Sequence, residues 1–150
     1  MLLFGENGWI GSKLVTLLES QGHKVIKSIS RMEYRNDIFH EINISRVDRV
    51  IISEITKTHN VDWCEEHKPE TLTTNIGVLN VVEGCRELGI HCTLFSTGCI
   101  YNYDSLHQVG GLGFKETDPP NFISNYYSYS KALIEDLIKE TGYLSNTLIL

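Results

Sequence analysis

The chain has 150 residues, 41% of them hydrophobic and 21% charged, with a formal net charge of -6. That length and composition suit one ordinary globular domain, and the acidic balance excludes a broad nucleic-acid-binding surface, which needs clustered Lys and Arg to replace the counterions of the phosphates. No apolar run reaches the roughly 18–20 residues that span a bilayer, and Cys64, Cys85, Cys92 and Cys99 form no C-x-x-C pair, so neither a membrane segment nor a metal site is expected.

The chain opens MLLFGENGWIG, without the basic and apolar regions of a signal peptide, and a cytoplasmic location is expected. Apolar residues 2–4 run straight into Gly5, and from Gly8 onward Ile10, Leu14, Leu17 and Leu18 recur at helical spacing, which predicts strand, glycine turn and helix. Gly22 stops that helix. Residues 25–29 read as a second short strand, residues 37–46 as a helix turning Ile38, Phe39, Ile42 and Ile44 inward, and residues 49–53 as a third strand. After a polar stretch with Asp62 and Trp63, Pro69 suits the first turn of a long helix that runs to about Leu88 through Leu72, Ile76, Leu79, Val82 and Cys85. Residues 91–97 form the next predicted strand. A loop of about 25 residues follows, long enough in a compact domain to be functional. A helix over residues 126–140 and a strand over residues 147–150 complete the chain. Strands alternating with helices imply a parallel sheet covered on both faces, so the expected fold class is α/β, a Rossmann-like doubly wound parallel sheet of about five strands, one domain over residues 1–150.

Gly5, Gly8 and Gly11 stand at G-x-x-G-x-x-G spacing between the first strand and the first helix, where the turn, the approach of a ligand and helix packing all disfavour a Cβ. Backbone N–H groups of the turn and helix start, over Asn7, Gly8, Trp9 and Ile10, would face a pyrophosphate, supported by the helix dipole. Three glycines by themselves make only a tight turn; the flanking strand and helix are what point to a dinucleotide. Arg31 lies where such a domain places Asp or Glu to hold a ribose hydroxyl. An arginine there, with or without Arg35, suits a 2′-phosphate and favours NADP(H) over NAD(H), although a surface Arg is ordinarily solvated and Glu33 is close by.

Tyr127 and Lys131 are four apart in a predicted helix and share one face. An ammonium one turn away favours phenolate and is expected to lower the tyrosine pKa from its ordinary value of about 10 toward the range of an acid/base catalyst. Ser96 and Thr97 end a predicted strand at the carboxyl edge, where open α/β sheets bind ligands, and a hydroxyl there can hydrogen-bond a carbonyl oxygen. Any one of these features is ordinary. Their order along the chain is what carries weight.

Through LLFGENGWIGSKL, NVDWCEEHKPETLTTN, STGCIYNYD, GFKETDPPNF and YYSYSKA the chain resembles the extended short-chain dehydrogenase/reductases of the NAD-dependent epimerase/dehydratase family. The match is particularly to the dTDP-4-dehydrorhamnose reductase group and the bifunctional plant nucleotide-sugar 3,5-epimerase/4-reductases. The resemblance implies NADPH-dependent reduction of a nucleotide-linked 4-keto-6-deoxyhexose, with Tyr127 giving the proton, Thr97 orienting the keto oxygen, and Lys131 holding the cofactor ribose and tuning Tyr127. It implies an epimerase acid/base role for Cys99 with a lysine further downstream, places for Ser53 and Asn75 near the cofactor, and a homodimer as a candidate assembly. Two departures stand out. Where family members follow the third strand with residues resembling Asn-Ala-Ala-Gly, this chain reads Ile51-Ile52-Ser53-Glu54-Ile55, and the family's C-terminal substrate lobe is absent from these residues. A non-catalytic NADP(H)-binding module and a nucleotide-sugar 4-epimerase or dehydratase of the same fold are the alternatives. Gly98 and Cys99 after Thr97 lower the dehydratase option, since that chemistry uses carboxylates there.

Overall fold

Short apolar strands buried on both faces form the centre of the molecule, described over residues 1–53 and 60–150 in a computed structural model. Strand β1 (Leu2–Phe4), with every side chain buried, pairs in parallel with β2 (Ile26–Lys27) on one side and β3 (Arg49–Ile52) on the other. β3 pairs with β4 (His91–Leu94) and β4 with β5 (Thr147–Ile149), giving a five-stranded parallel sheet of order β2-β1-β3-β4-β5. The expected α/β class is the observed one. The path along the sheet reverses at β1, so right-handed crossovers put α1 (Trp9–Ser20) on one face and α2 (Arg35–Ser45), α4 (Lys68–Glu87) and α5 (Tyr126–Glu140) on the other. In agreement, α2 packs against α4 and α4 against α5. The core lies between this second layer and the sheet, around Leu2, Phe4, Ile42, Val50, Val78, Val82 and Ile138. No helix among the described residues is long and apolar enough to cross a membrane.

The structure departs from the sequence expectations at several places, each with a local cause. The second strand is two residues long because the N–H groups of Ile29 and Ser30 bond the Glu41 carboxylate in place of a ladder partner. The polar stretch before Pro69 contains a helix, α3 (Val61–Glu66), started by Asn60, whose side chain accepts the Trp63 N–H at 2.9 Å. The expected inward stripe of α4 holds at Val82 and Cys85, with Leu79 packed on the core, but Ile76 is 43% exposed while Thr71, Asn75 and Val78 face inward. The small Gly77 decides this, since a Cβ there would lie 2.8 Å from the Met32 carbonyl carbon. Ile44 and Leu17 also point outward. The third and fourth strands stop at Ile52 and Leu94, so Ser53 and Thr97 sit just past the sheet edge.

Candidate active site

The glycine turn is built by contact as much as by conformation. Gly5 has φ 87°, in the left-handed region, and its carbonyl accepts the Gly8 N–H at 3.0 Å. A Cβ on Gly11 would stand 2.0 Å from the Gly5 oxygen and 2.8 Å from Ser53 Oγ, so α1 meets the turn with no room for a side chain. Gly8 caps α1 without any side-chain hydrogen bond, which leaves the first N–H groups of the helix without a side-chain acceptor at that cap. Asn7, Gly8 and Trp9 are exposed and Ile10 is half-buried at this mouth. Asn7 donates to Glu6 at 2.8 Å, and the Trp9 ring lies under the Lys13 ammonium. Ser53 is buried, with its hydroxyl bonded to the carbonyls of Phe4 at 2.9 Å and Gly5 at 3.3 Å. It braces the turn from beneath. Glu54 and Ile55, the rest of the departure expected there, lie outside the described residues.

Beyond β2 the chain is fixed by a residue that sequence reasoning passed over. Glu41, on the inner face of α2, accepts the Ser28 hydroxyl at 2.7 Å and the N–H groups of Ile29 at 2.9 Å and Ser30 at 3.3 Å. The signal for it was an acidic residue one position before Ile42 on an otherwise apolar helix face. Asn80 of α4 holds the next carbonyl, that of Met32, at 2.8 Å. Arg31 sits on this braced segment with its guanidinium half in solvent, 2.9 Å from Glu33 and over the Tyr34 ring. Arg35, its expected helper, is engaged elsewhere: it pairs with Glu83 at 3.0 Å and lies 3.6 Å from Glu87 on α4.

At the carboxyl end of the sheet the other expected groups converge. Asn125 caps α5 by accepting the Ser128 N–H at 2.8 Å, and the Glu65 carboxylate on α3 accepts the N–H of Tyr126. The buried Ser128 hydroxyl donates to the Cys99 carbonyl at 2.7 Å. These contacts set the first turn of α5 against the 3-10 turn Gly98–Ile100, and so bring Tyr127 to Thr97 and Cys99. The Thr97 hydroxyl accepts the Cys99 N–H at 3.2 Å and lies near enough to the Tyr127 phenol to pull its pKa down. Lys131, one turn along α5, is only 6% exposed. Asn75 is fully buried in α4 and donates to Ser130 at 2.8 Å, while Ser130 donates to the Tyr127 carbonyl at 3.0 Å, so the predicted Asn reaches the site through α5. Cys99 is an exposed free thiol.

The charge state of the tyrosine differs from expectation. Burial pushes the Tyr127 phenol above its ordinary value; the Thr97 hydrogen bond pulls it back, and the Cys99 and Cys64 thiols push it further up. Desolvation is the largest cause and outweighs the Thr97 contribution, so the phenol is raised where the four-residue spacing to Lys131 suggested a depression.

A cavity of about 530 Å³ opens beyond β4 and β5, lined in part by Ser96, Thr97, Tyr101, Lys115 and Glu135. The glycine turn follows β1, and Thr97, which follows β4, lies near Tyr127 of α5, both at the carboxyl end of the parallel sheet, the end at which open α/β sheets bind ligands.

Residues 1–146 match the family described as the NAD dependent epimerase/dehydratase family. Over 141 residues, 92% of its length, the chain is 43% identical to the bifunctional dTDP-4-dehydrorhamnose 3,5-epimerase/dTDP-4-dehydrorhamnose reductase of Arabidopsis thaliana, of which it covers 47%. A UDP-rhamnose synthase from Acanthamoeba polyphaga mimivirus has the same fold with a TM-score of 0.87 and 31% identity, over 99% of this chain and 53% of that one. So has a dTDP-4-dehydrorhamnose reductase from Bacillus anthracis in complex with NADP, with a TM-score of 0.83 and 22% identity, over 99% of this chain and 51% of that one. The chain spans about half the length of each of these relatives. With nearly every residue inside the family match and the glycine turn, Thr97, Tyr127 and Lys131 on one sheet edge, the chain belongs to the NAD dependent epimerase/dehydratase family.

Proposed function

We propose that residues 1–150 are the NADP(H)-binding domain of a cytoplasmic enzyme that reduces a nucleotide-linked 4-keto-6-deoxyhexose, as a dTDP- or UDP-4-dehydrorhamnose reductase does. The observation that carries this reading is the meeting of the Thr97 hydroxyl and the Tyr127 phenol at the carboxyl end of the sheet, with buried Lys131 one turn away. The cradle fits a dinucleotide, because any side chain at Gly11 would collide with the turn and the α1 cap carries no side-chain acceptor. NADP(H) is favoured over NAD(H) by the half-exposed Arg31, whose partner Glu33 a 2′-phosphate can replace.

Bound there, the reduced dinucleotide supplies a hydride. The chain supplies the rest. Thr97 donates a hydrogen bond to the keto oxygen. Tyr127 gives its phenolic proton to the same oxygen as negative charge builds on it, and a phenol held above its ordinary pKa keeps that proton at neutral pH until the demand arises. Lys131 binds the cofactor ribose and offsets the phenolate left behind.

The exposed Cys99 thiol beside the same phenol supports a second activity, 3,5-epimerisation with Cys99 as an acid/base. Cys99→Ala then abolishes solvent deuterium exchange into the sugar ring while reduction of the epimerised sugar persists.

The main test is NADPH consumption with the keto-sugar by the full reading frame that carries residues 1–150. Tyr127→Phe lowers kcat by about 10²–10⁴-fold. Equal turnover by wild type and variant would sink the reading.

A further inference from the structure

The face of α5 that presents Tyr127 and Lys131 carries a third polar side chain, Glu135, one further turn along. It is buried at 6% exposure. Its Oε1 accepts the Ser96 hydroxyl, and its Oε2 lies 3.7 Å from the Lys139 ammonium. Ser96 directly precedes Thr97, and its N–H donates to the Leu150 carbonyl at 2.7 Å. The end of β4 is therefore held from the β5 side by backbone and from the α5 side by a carboxylate. Thr97 then leaves the sheet in extended conformation, φ -149° and ψ 139°, and turns its hydroxyl toward the Cys99 N–H. Burying a carboxylate costs free energy that an aliphatic side chain would not. What the carboxylate contributes in return is direction, because only an acceptor fixes the rotation of the Ser96 hydroxyl and the backbone that bears it.

We propose that Glu135 is a positioning residue for the reduction: acting through Ser96, it holds the Thr97 hydroxyl at the distance from the Tyr127 phenol at which one keto oxygen meets both. The inference rests on the roles given above to Thr97 and Tyr127. Glu135 acts through an accepted hydrogen bond, and its charge is incidental.

The test uses the full reading frame that carries residues 1–150. Glu135→Ala and Ser96→Ala each lower kcat about ten- to a hundredfold, as expected for a misplacement near 1 Å, while NADPH affinity and keto-sugar KM stay within about twofold. Combined, the two losses do not add, because both remove one contact. Glu135→Gln keeps an acceptor oxygen for Ser96 and restores kcat to within about threefold of wild type, and Lys139→Ala, which removes only the charge pair, leaves kcat unchanged. Ser96→Ala removes a single oxygen and carries the test if Glu135→Ala does not fold. Additive losses, NADPH affinity falling in step with kcat, or a glutamine variant as slow as the alanine one overturn the proposal. Tyr127→Phe in parallel separates the two readings. If it is inactive while Glu135→Ala turns over like wild type, the positioning role fails and the site stands; if wild type and Tyr127→Phe behave alike, both fail.

Discussion

The missing side chain of Gly11 would point at the carbonyl oxygen of Gly5 from 2.0 Å, closer than any real Cβ contact, so helix α1 and the turn before it fit together only as glycine against backbone. Gly11→Ala must push α1 outward. The expected cost is about 1–3 kcal/mol in urea denaturation, with a larger proportional loss of NADPH affinity by fluorescence titration. A variant of wild-type affinity would mean that the turn is not the phosphate cradle.

Glu41 replaces strand pairing at the end of β2 with three hydrogen bonds from Ser28, Ile29 and Ser30. Glu41→Ala removes the one carboxylate that these three donors share. We expect a loss of about 2–4 kcal/mol in stability, and faster amide exchange at Ile29 and Ser30 than elsewhere in the sheet. Unchanged exchange there would show that the carboxylate does not hold the segment.

Arg31 is the cofactor-selecting group in the proposed site. Arg31→Ala should weaken NADPH binding about tenfold, near 1.4 kcal/mol, and leave NADH binding close to its starting value. Glu33→Gln, which frees the guanidinium of its 2.9 Å partner, should change NADPH affinity in the opposite direction. Equal losses for both dinucleotides on removing Arg31 would take away the case for a 2′-phosphate.

The pH dependence follows from the raised Tyr127 phenol. A proton donor works in its neutral form, so kcat/KM for reduction should be level through neutrality and fall only on an alkaline limb, above the ordinary tyrosine pKa of about 10. For stability the sign is also fixed. Above the unfolded-state pKa the unfolded chain releases this proton before the folded one does, so Tyr127 lowers stability as pH rises toward its folded value, and below that window it contributes no pH dependence. Alkaline denaturation curves should show a shallower decline for Tyr127→Phe than for wild type. An identical decline would mean that the phenol is not buried as described.

The α/β alternation, the strand, turn and helix at the glycines and the bounds of α5 were legible because they rest on local signals: glycine spacing, Pro69, and apolar periodicity over residues 126–140. What stayed hidden depends on partners distant in sequence. Ile76 of α4 faces outward beside Gly77, which admits the backbone at Met32, 45 residues earlier, and periodicity assigns no value to a glycine. Tyr127 and Lys131 were readable as a pair, but the phenol's desolvation comes from its burial in the fold, which spacing does not reveal. Glu41 and Glu135 drew no notice in the sequence because each finds its acceptor role only with a segment from another element.

Helix α4 touches both ends of the site. Through Gly77 and Asn80 it seats the segment that carries Arg31, and through Asn75 it grips Ser130 between the tyrosine and the lysine. One rod of 20 residues therefore serves as a ruler between the segment that carries Arg31 and the turn of α5 that carries Tyr127 and Lys131, and in the proposed site it sets the span from the dinucleotide's 2′-phosphate to the proton donor.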